Sequence, residues 1–142
     1  MQNSKGKRQI RQLADKLKMQ KYDTQEKGSL QGRCYQFSLD VIALIDKLPN
    51  KRSAWVIGDQ LIRSATSIGA NIVEARASSS RLEFKKFYEI SLKSANETKY
   101  WLGLLSDSGI MKELEIVPLL SEVTELSNML GSGVLKLKQK KF

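Results

Sequence analysis

The sequence predicts an all-α protein, an up-down-up-down antiparallel four-helix bundle behind a basic N-terminal extension. Three observations predict it. Apolar residues recur at three- and four-residue intervals in four separate stretches. No segment has the two-residue alternation of a half-buried strand. The breaks between the four stretches are short and rich in Pro, Gly, Ser and Asn, which suits antiparallel neighbours. At 142 residues the chain fits one domain with a core of its own.

The extension covers residues 1–32. From Gln9 to about Lys21, Ile10, Leu13, Ala14 and Leu17 recur at helical spacing in a strongly basic background. Part of the extension is therefore expected to form a short amphipathic helix, marginal in isolation. "TQEKGSLQGR", Thr24 to Arg33, is polar, holds two glycines and has no periodicity, so it reads as a linker. The bundle is placed at residues 33–139.

Its first helix is expected at about 33–47, where Phe37, Val41, Leu44, Ile45 and Leu48 share a face and Pro49 disfavours helix in the residue before it. The second is expected at 53–76 with Ser53 as N-cap. The third, 81–106, starts at the capping box Ser80 to Glu83 and stops at "SDSG", where Gly109 can take the left-handed conformation. At ~1.5 Å per residue it spans about 40 Å, enough for the spine of the bundle. The fourth, 118–137, carries Leu119, Val123, Leu126, Leu130, Val134 and Leu137, with Pro118 in its first turn, where a missing N–H costs little. Gly131 and Gly133 are expected to weaken its end and the Lys-rich terminus to fray.

On the second helix Ile57, Leu61, Ala65, Ile68 and Ile72 make one apolar stripe, enough to face a single core. A second face remains. Ser64, Ser67, Gly69 and Ala70 are small enough for close helix approach, and Gln60, Arg63, Ser67, Asn71 and Glu74 form a polar stripe. A polar stripe is usually a solvated face, but solvated faces favour long Lys and Glu over the poor helix formers Ser, Gly and Asn. The third helix repeats the mixture: Phe84, Phe87, Ser91, Ala95, Thr98, Leu102 and Leu105 on one side, Glu83, Ile90, Ser94, Glu97 and Trp101 beside it. The expectation is a polar packing and oligomer seam of Gln60, Arg63, Ser67, Asn71, Glu74 and Glu97. In it Glu97 meets Arg63 or Asn71, and loss of one partner costs roughly 3–5 kcal/mol if the site is truly buried.

"LPN", "QLIRSATSIGANIVEA", "EFKKFYEISLKSANET" and "YWLGLLSDSG" together resemble the bacterial four-helix bundle family named for proteins encoded in intervening sequences of 23S ribosomal RNA genes. The match runs over about residues 34–137. Where many members have Glu-Gly followed by Arg, this chain has Glu74-Ala75-Arg76-Ala77-Ser78, at the turn between the second and third helices; residues 1–32 lie outside the familiar core. The resemblance implies a homopentamer with helices packed between subunits around a central axis, so that five copies multiply the charge of the tails. A related accessory protein of diversity-generating retroelements works with a reverse transcriptase and RNA, which by family analogy alone makes RNA and such an enzyme candidate partners.

The net charge of +9 sits entirely in the ends. Residues 1–33 carry nine Lys/Arg against three Asp/Glu and residues 134–142 four lysines and no acid, whereas 34–133 carry eleven basic against twelve acidic. Such ends attract polyanions, or simply keep the chain soluble. Phosphate contacts to RNA or DNA are accordingly expected from Lys5, Lys7, Arg8, Arg11, Lys136, Lys138, Lys140 and Lys141. The alternative is a structural adaptor that recruits a protein partner, with tails serving solubility only. Attachment of the 9–21 helix to an anionic membrane is disfavoured, because its apolar face is small and lacks Trp and Phe.

Catalysis finds little support. The chain has no histidine, which removes a His general base, a His-based triad and a His-containing zinc site, and one cysteine cannot make a thiolate zinc site. Its glycines form neither a P-loop nor a dinucleotide fingerprint. Glu74 and Glu97 lack the Glu-x-x-His repeats that accompany carboxylates in two-metal bundles. No enzyme activity, cofactor or metal is expected. Trp55, Tyr88, Tyr100 and Trp101 could stack on bases, yet at helical spacing they are expected in the core. Cys34 reads as a lone buried thiol suited to a reducing compartment. With no export signal and no apolar run of about 18 residues, the expected location is the cytoplasm, and the Asn96-Glu97-Thr98 glycosylation match is taken as chance.

Overall fold

The computed structural model describes residues 3–21 and 28–139, and the side chains of 3–16 and 28–139. It holds five helices: α1 (Ser4–Lys21), α2 (Leu30–Ile45), α3 (Arg52–Arg76), α4 (Arg81–Asp107) and α5 (Glu113–Gln139). Among the described residues there is no strand. The sequence anticipated four bundle helices and a short helix in the extension from Gln9 to about Lys21; the fifth helix, α1, is that one, starting earlier at Ser4, and it joins none of the closely packed helix pairs.

Helices α2 to α5 close a ring of neighbours, α2 on α3, α3 on α4, α4 on α5 and α5 on α2. Specific contacts fix their directions. Gly69 approaches Cys34 while Gly58 approaches Leu48; Ser64 meets Thr98 while Ile68 meets Ser91; Arg33 meets Glu122 while Lys47 meets Glu115. In each pair one number rises as the other falls, so every neighbouring pair runs antiparallel.

The core follows the anticipated stripes. Phe37, Val41 and Leu44 of α2, Leu61, Ala65, Ile68 and Ile72 of α3, Ala95, Leu102 and Leu105 of α4, and Ile116, Leu119, Val123, Leu126 and Leu130 of α5 form one buried cluster. Burying such side chains contributes roughly 1.5–3 kcal/mol each before conformational entropy is charged against it.

Helix ends show where local signals held and where they were overruled. Ser80 Oγ accepts from the Glu83 amide at 3.1 Å, and Gly109 takes φ +76° just past α4, both as anticipated. Ser53 is not the N-cap of α3. The cap is Lys51, in extended backbone without a side-chain bond, because the turn through Pro49 starts the helix earlier and leaves Ser53 in its first turn. Likewise α2 begins at Leu30, where Ser29 Oγ accepts from the Gly32 amide at 3.0 Å.

Pro118 is not in the first turn of α5, which begins five residues before it. Buried Met111 and Ile116 anchor that earlier start, and Glu113 and Glu115 favour the positive end of the helix dipole. The bond lost at Pro118 would have reached the carbonyl of Leu114, which belongs to a highly exposed residue at the start of the helix. Gly131 and Gly133 do not end α5 either, which continues to Gln139. At Gly133 the missing side chain makes room for Tyr88, since a Cβ there would lie 2.6 Å from the ring.

Candidate functional site

Two features stand apart from the core: the α3–α4 seam and the distribution of charge along the bundle. In the seam Arg63 donates to Gln60 Oε1 on its own helix and to the Glu97 carboxylate on α4, and Trp101 Nε1 donates to the same carboxylate at 2.8 Å. Ser67 accepts from Ser94 Oγ at 2.9 Å and from Asn71 Nδ2 at 2.9 Å. The structure thus brings together five of the six anticipated seam residues. Glu74 is exposed and, among the described residues, joins none of these hydrogen bonds.

The Arg63–Glu97 pair is not dry. Its side chains keep 56% and 37% of their exposure, so the penalty expected for a truly buried pair does not apply. The Trp101 hydrogen bond holds the Glu97 carboxyl below its ordinary pKa; burial opposes it, and the hydrogen bond and charge of Arg63 add to the lowering.

Beneath that seam runs a buried polar layer that the sequence analysis did not assemble. Thr98 meets Ser64 at 2.9 Å and Ser91 donates to the Ile68 carbonyl at 2.7 Å; separately, at the part-buried α4–α5 contact, Ser127 donates to Asn96 at 2.9 Å. The signal was present as small polar residues at three- and four-residue spacing on both helices. Their small volume lets the backbones approach and their hydroxyls satisfy one another.

Of the aromatics expected in the core, Tyr88 and Trp101 are half-buried, but Trp55 and Tyr100 are exposed. Trp55 is one residue past buried Ala54 and Tyr100 two before buried Leu102, so the turn of the helix carries both away from the inward stripe. Cys34 is buried as expected, and burial pushes its thiol up to about 12.

The basic residues anticipated as phosphate contacts are exposed where described. Lys5, Lys7, Arg8 and Arg11 lie on α1, Lys136 and Lys138 on the last turns of α5, and Lys140 and Lys141 fall outside the described residues. The antiparallel ring puts the start of α2, the α3–α4 turn and the end of α5 at one pole. Arg76 bonds Gln31 there, and an open hollow of about 490 Å³ is bordered by Arg76, Ser78, Ser80, Arg81, Phe84 and Leu137. Arg76 and Arg81 are thus the pole residues that sequence reasoning missed, their relation to the C-terminal lysines being set by topology alone. The amide end of α4, with Ser80 as its cap, opens on the same pole.

The 23S rRNA-intervening sequence protein family model matches residues 26–132, most of the bundle. The chain belongs to that family. The resemblance read from the sequence motifs is thereby confirmed at family level. Among solved structures, a protein of unknown function from the S23 ribosomal protein family of Bacteroides thetaiotaomicron is similar at 34% identity with a TM-score of 0.70. That alignment covers 74% of this chain and 97% of the Bacteroides protein, so the shared family core accounts for nearly all of that relative. A search of curated proteins finds no match. In this intervening-sequence protein the family match leaves out residues 1–25, and α1 with them. No helix among the described residues is long and apolar enough to cross a membrane.

Proposed function

We propose that this family member is a non-enzymatic, cytoplasmic homo-oligomer, a pentamer by the family resemblance, that binds RNA or DNA through phosphate contacts at its basic pole. The observation that carries the reading is convergence. α2 starts at the pole where Lys136 and Lys138 end α5 and where Arg76 and Arg81 flank the α3–α4 turn, and α1, with Lys5, Lys7, Arg8 and Arg11, precedes α2 in the chain. Residues 34–133 carry no basic excess, so the field is concentrated at one end. Cyclic assembly repeats that pole and sums many weak contacts.

The test is nucleic-acid affinity against salt concentration, with Lys136 and Lys138 changed to Gln, with Arg8 and Arg11 changed to Gln, and with all four changed. The logarithm of affinity falls linearly with the logarithm of salt, and each lost phosphate contact flattens the slope by about 0.9 for duplex DNA and about 0.7 for single strands. Absence of binding at low salt overturns the proposal.

The second reading is an adaptor whose basic ends serve solubility only, with a reverse transcriptase the partner class that the retroelement precedent suggests. It draws support from exposed apolar residues away from the pole, such as Trp55 and Tyr100. Charge-neutralised variants that keep a specific protein partner and lose only solubility favour it.

A further inference from the structure

Two apolar surfaces of complementary form are uncovered in the single chain. The first is the outer α2–α3 face. Tyr35, Leu39 and Ile42 step by four and three along α2, and each stays about 40% exposed. Thr66, Ala70 and Val73 step by four and three along α3 opposite them. Between the two rows lies a cleft of about 130 Å³, bordered by Gln31, Tyr35 and Ser38 on one side and Thr66, Ala70 and Val73 on the other. Gly69 keeps this cleft shallow by drawing α3 against α2, where an added Cβ would stand 3.2 Å from that of Cys34.

No residue lining the cleft is charged. The charges that border the face are mainly acidic: Asp46 lies four residues past Ile42, Asp59 three before Ile62, and Glu74 four past Ala70. Of the cations at its edges, Arg63 is paired with Glu97, while Arg76 bonds the neutral Gln31 and keeps its charge at the pole end of the face.

The second surface is α1. Ile10 and Leu13 form its stripe and remain 53% and 58% exposed. Lys7 and Lys16, three residues to either side of that pair, flank the stripe, while Arg8 and Arg11 point away from it. An amphipathic helix with an apolar ridge and basic flanks fits an apolar groove with acidic margins.

We propose that α1 of one copy docks its Ile10–Leu13 ridge into the α2–α3 groove of a second copy. This rests on the homo-oligomeric reading above and adds to it a contact between copies made by α1, which lies outside the family core. The occupant is a second copy because, among the described residues, α1 packs closely against no other helix of its own chain, while the ridge and the α2–α3 face are both exposed and carry opposite flanking charges. Lys7 and Lys16 meet the acidic margins, and the outward Arg8 and Arg11 stay free for phosphate. An arm laid into a neighbour's groove is a heterologous contact, which closes into a ring when its rotation permits.

The experiment uses two full-length chains, one Leu13→Cys and one Ala70→Cys, mixed in equal amounts under mild oxidation. Cys34 stays silent, being buried with its thiol pushed up to about 12. The expected product is a mixed disulfide dimer in about tenfold or greater excess over either like–like dimer, because docking holds the two thiols at millimolar effective concentration. It should vanish when Ile10→Asp is added to the Leu13→Cys chain.

A chain carrying both cysteines that closes on itself as a monomer overturns the proposal in favour of self-docking. No mixed dimer, in a protein whose solution mass is oligomeric, overturns the proposal and leaves the homo-oligomer standing. A monomeric mass at all concentrations removes both. Thr66→Cys on the same groove replaces Ala70→Cys should the latter lose helical content.

Discussion

Thr98 Oγ1 donates to Ser64 Oγ at 2.9 Å in the buried middle of the α3–α4 interface, and Ser64 Oγ in turn reaches the Leu61 carbonyl at 3.2 Å. Both side chains are fully buried, and the Thr98 hydroxyl also lies 2.7 Å from the Ser94 carbonyl of its own helix. Thr98→Val keeps the shape and removes the donor. A loss of about 1–2 kcal/mol in urea unfolding is expected, since Ser64 retains one partner. Ser64→Ala in the same background should add less than it does alone, because the two share one interaction.

Two neighbouring glycines of α5 should respond with opposite signs. Gly131→Ala meets open space and should stabilise by up to ~1 kcal/mol through helix propensity. Gly133→Ala drives a methyl into Tyr88, whose ring is stacked on Phe84 with centroids 5.2 Å apart. Overpacking of about 1–3 kcal/mol outweighs the propensity gain there, so a lower melting temperature is expected. Equal shifts for the two variants contradict the Tyr88 contact.

Glu97 should confer a small pH dependence. Trp101 and Arg63 lower its pKa in the folded chain, so its stabilising contribution is complete above the ordinary carboxylate value and is lost as pH falls through the lowered one. The expected effect stays within about 1 kcal/mol because both charged side chains remain substantially exposed. Glu97→Gln should remove that component of the acid limb below about pH 4.5, and unfolding curves at several pH values measure it.

Cys34 should resist labelling. Burial raises its thiol to about 12, so little thiolate exists near pH 8 and the sulfur is covered. Reaction with a thiol reagent should be undetectable in the native protein and complete in denaturant. Its rate in intermediate urea should then follow global opening. Rapid native labelling would place Cys34 outside the α2–α3 contact.

Much of the bundle was legible because its signals are local. A four-residue stripe such as Leu61, Ala65, Ile68 and Ile72 must face something apolar in any helix, and a Ser80–Glu83 pair or a Gly109 acts within one turn. Helix starts at Arg52 and Glu113 were not legible. The first is set by the turn through Pro49 and the second by burial of Met111 and Ile116 from outside the anticipated helix. Of the seam, helical spacing grouped Gln60, Arg63, Ser67 and Asn71; only packing showed that Arg63 reaches Glu97 at a wet margin while Ser64 and Thr98 occupy the dry centre.

The sequence by itself determined the helices, their apolar stripes, the family and the location of positive charge at the two ends of the chain, because each follows from residue type and spacing. Tertiary structure alone decided that the start of α2 and the end of α5 share one pole with Arg76 and Arg81, that Tyr88 fills the gap left by Gly133, and that the Ile10 ridge and the α2–α3 face keep their exposure. The physical reason is that periodicity assigns a side chain to a face of its own helix, whereas the neighbour that meets that face depends on the antiparallel order in which the helices close.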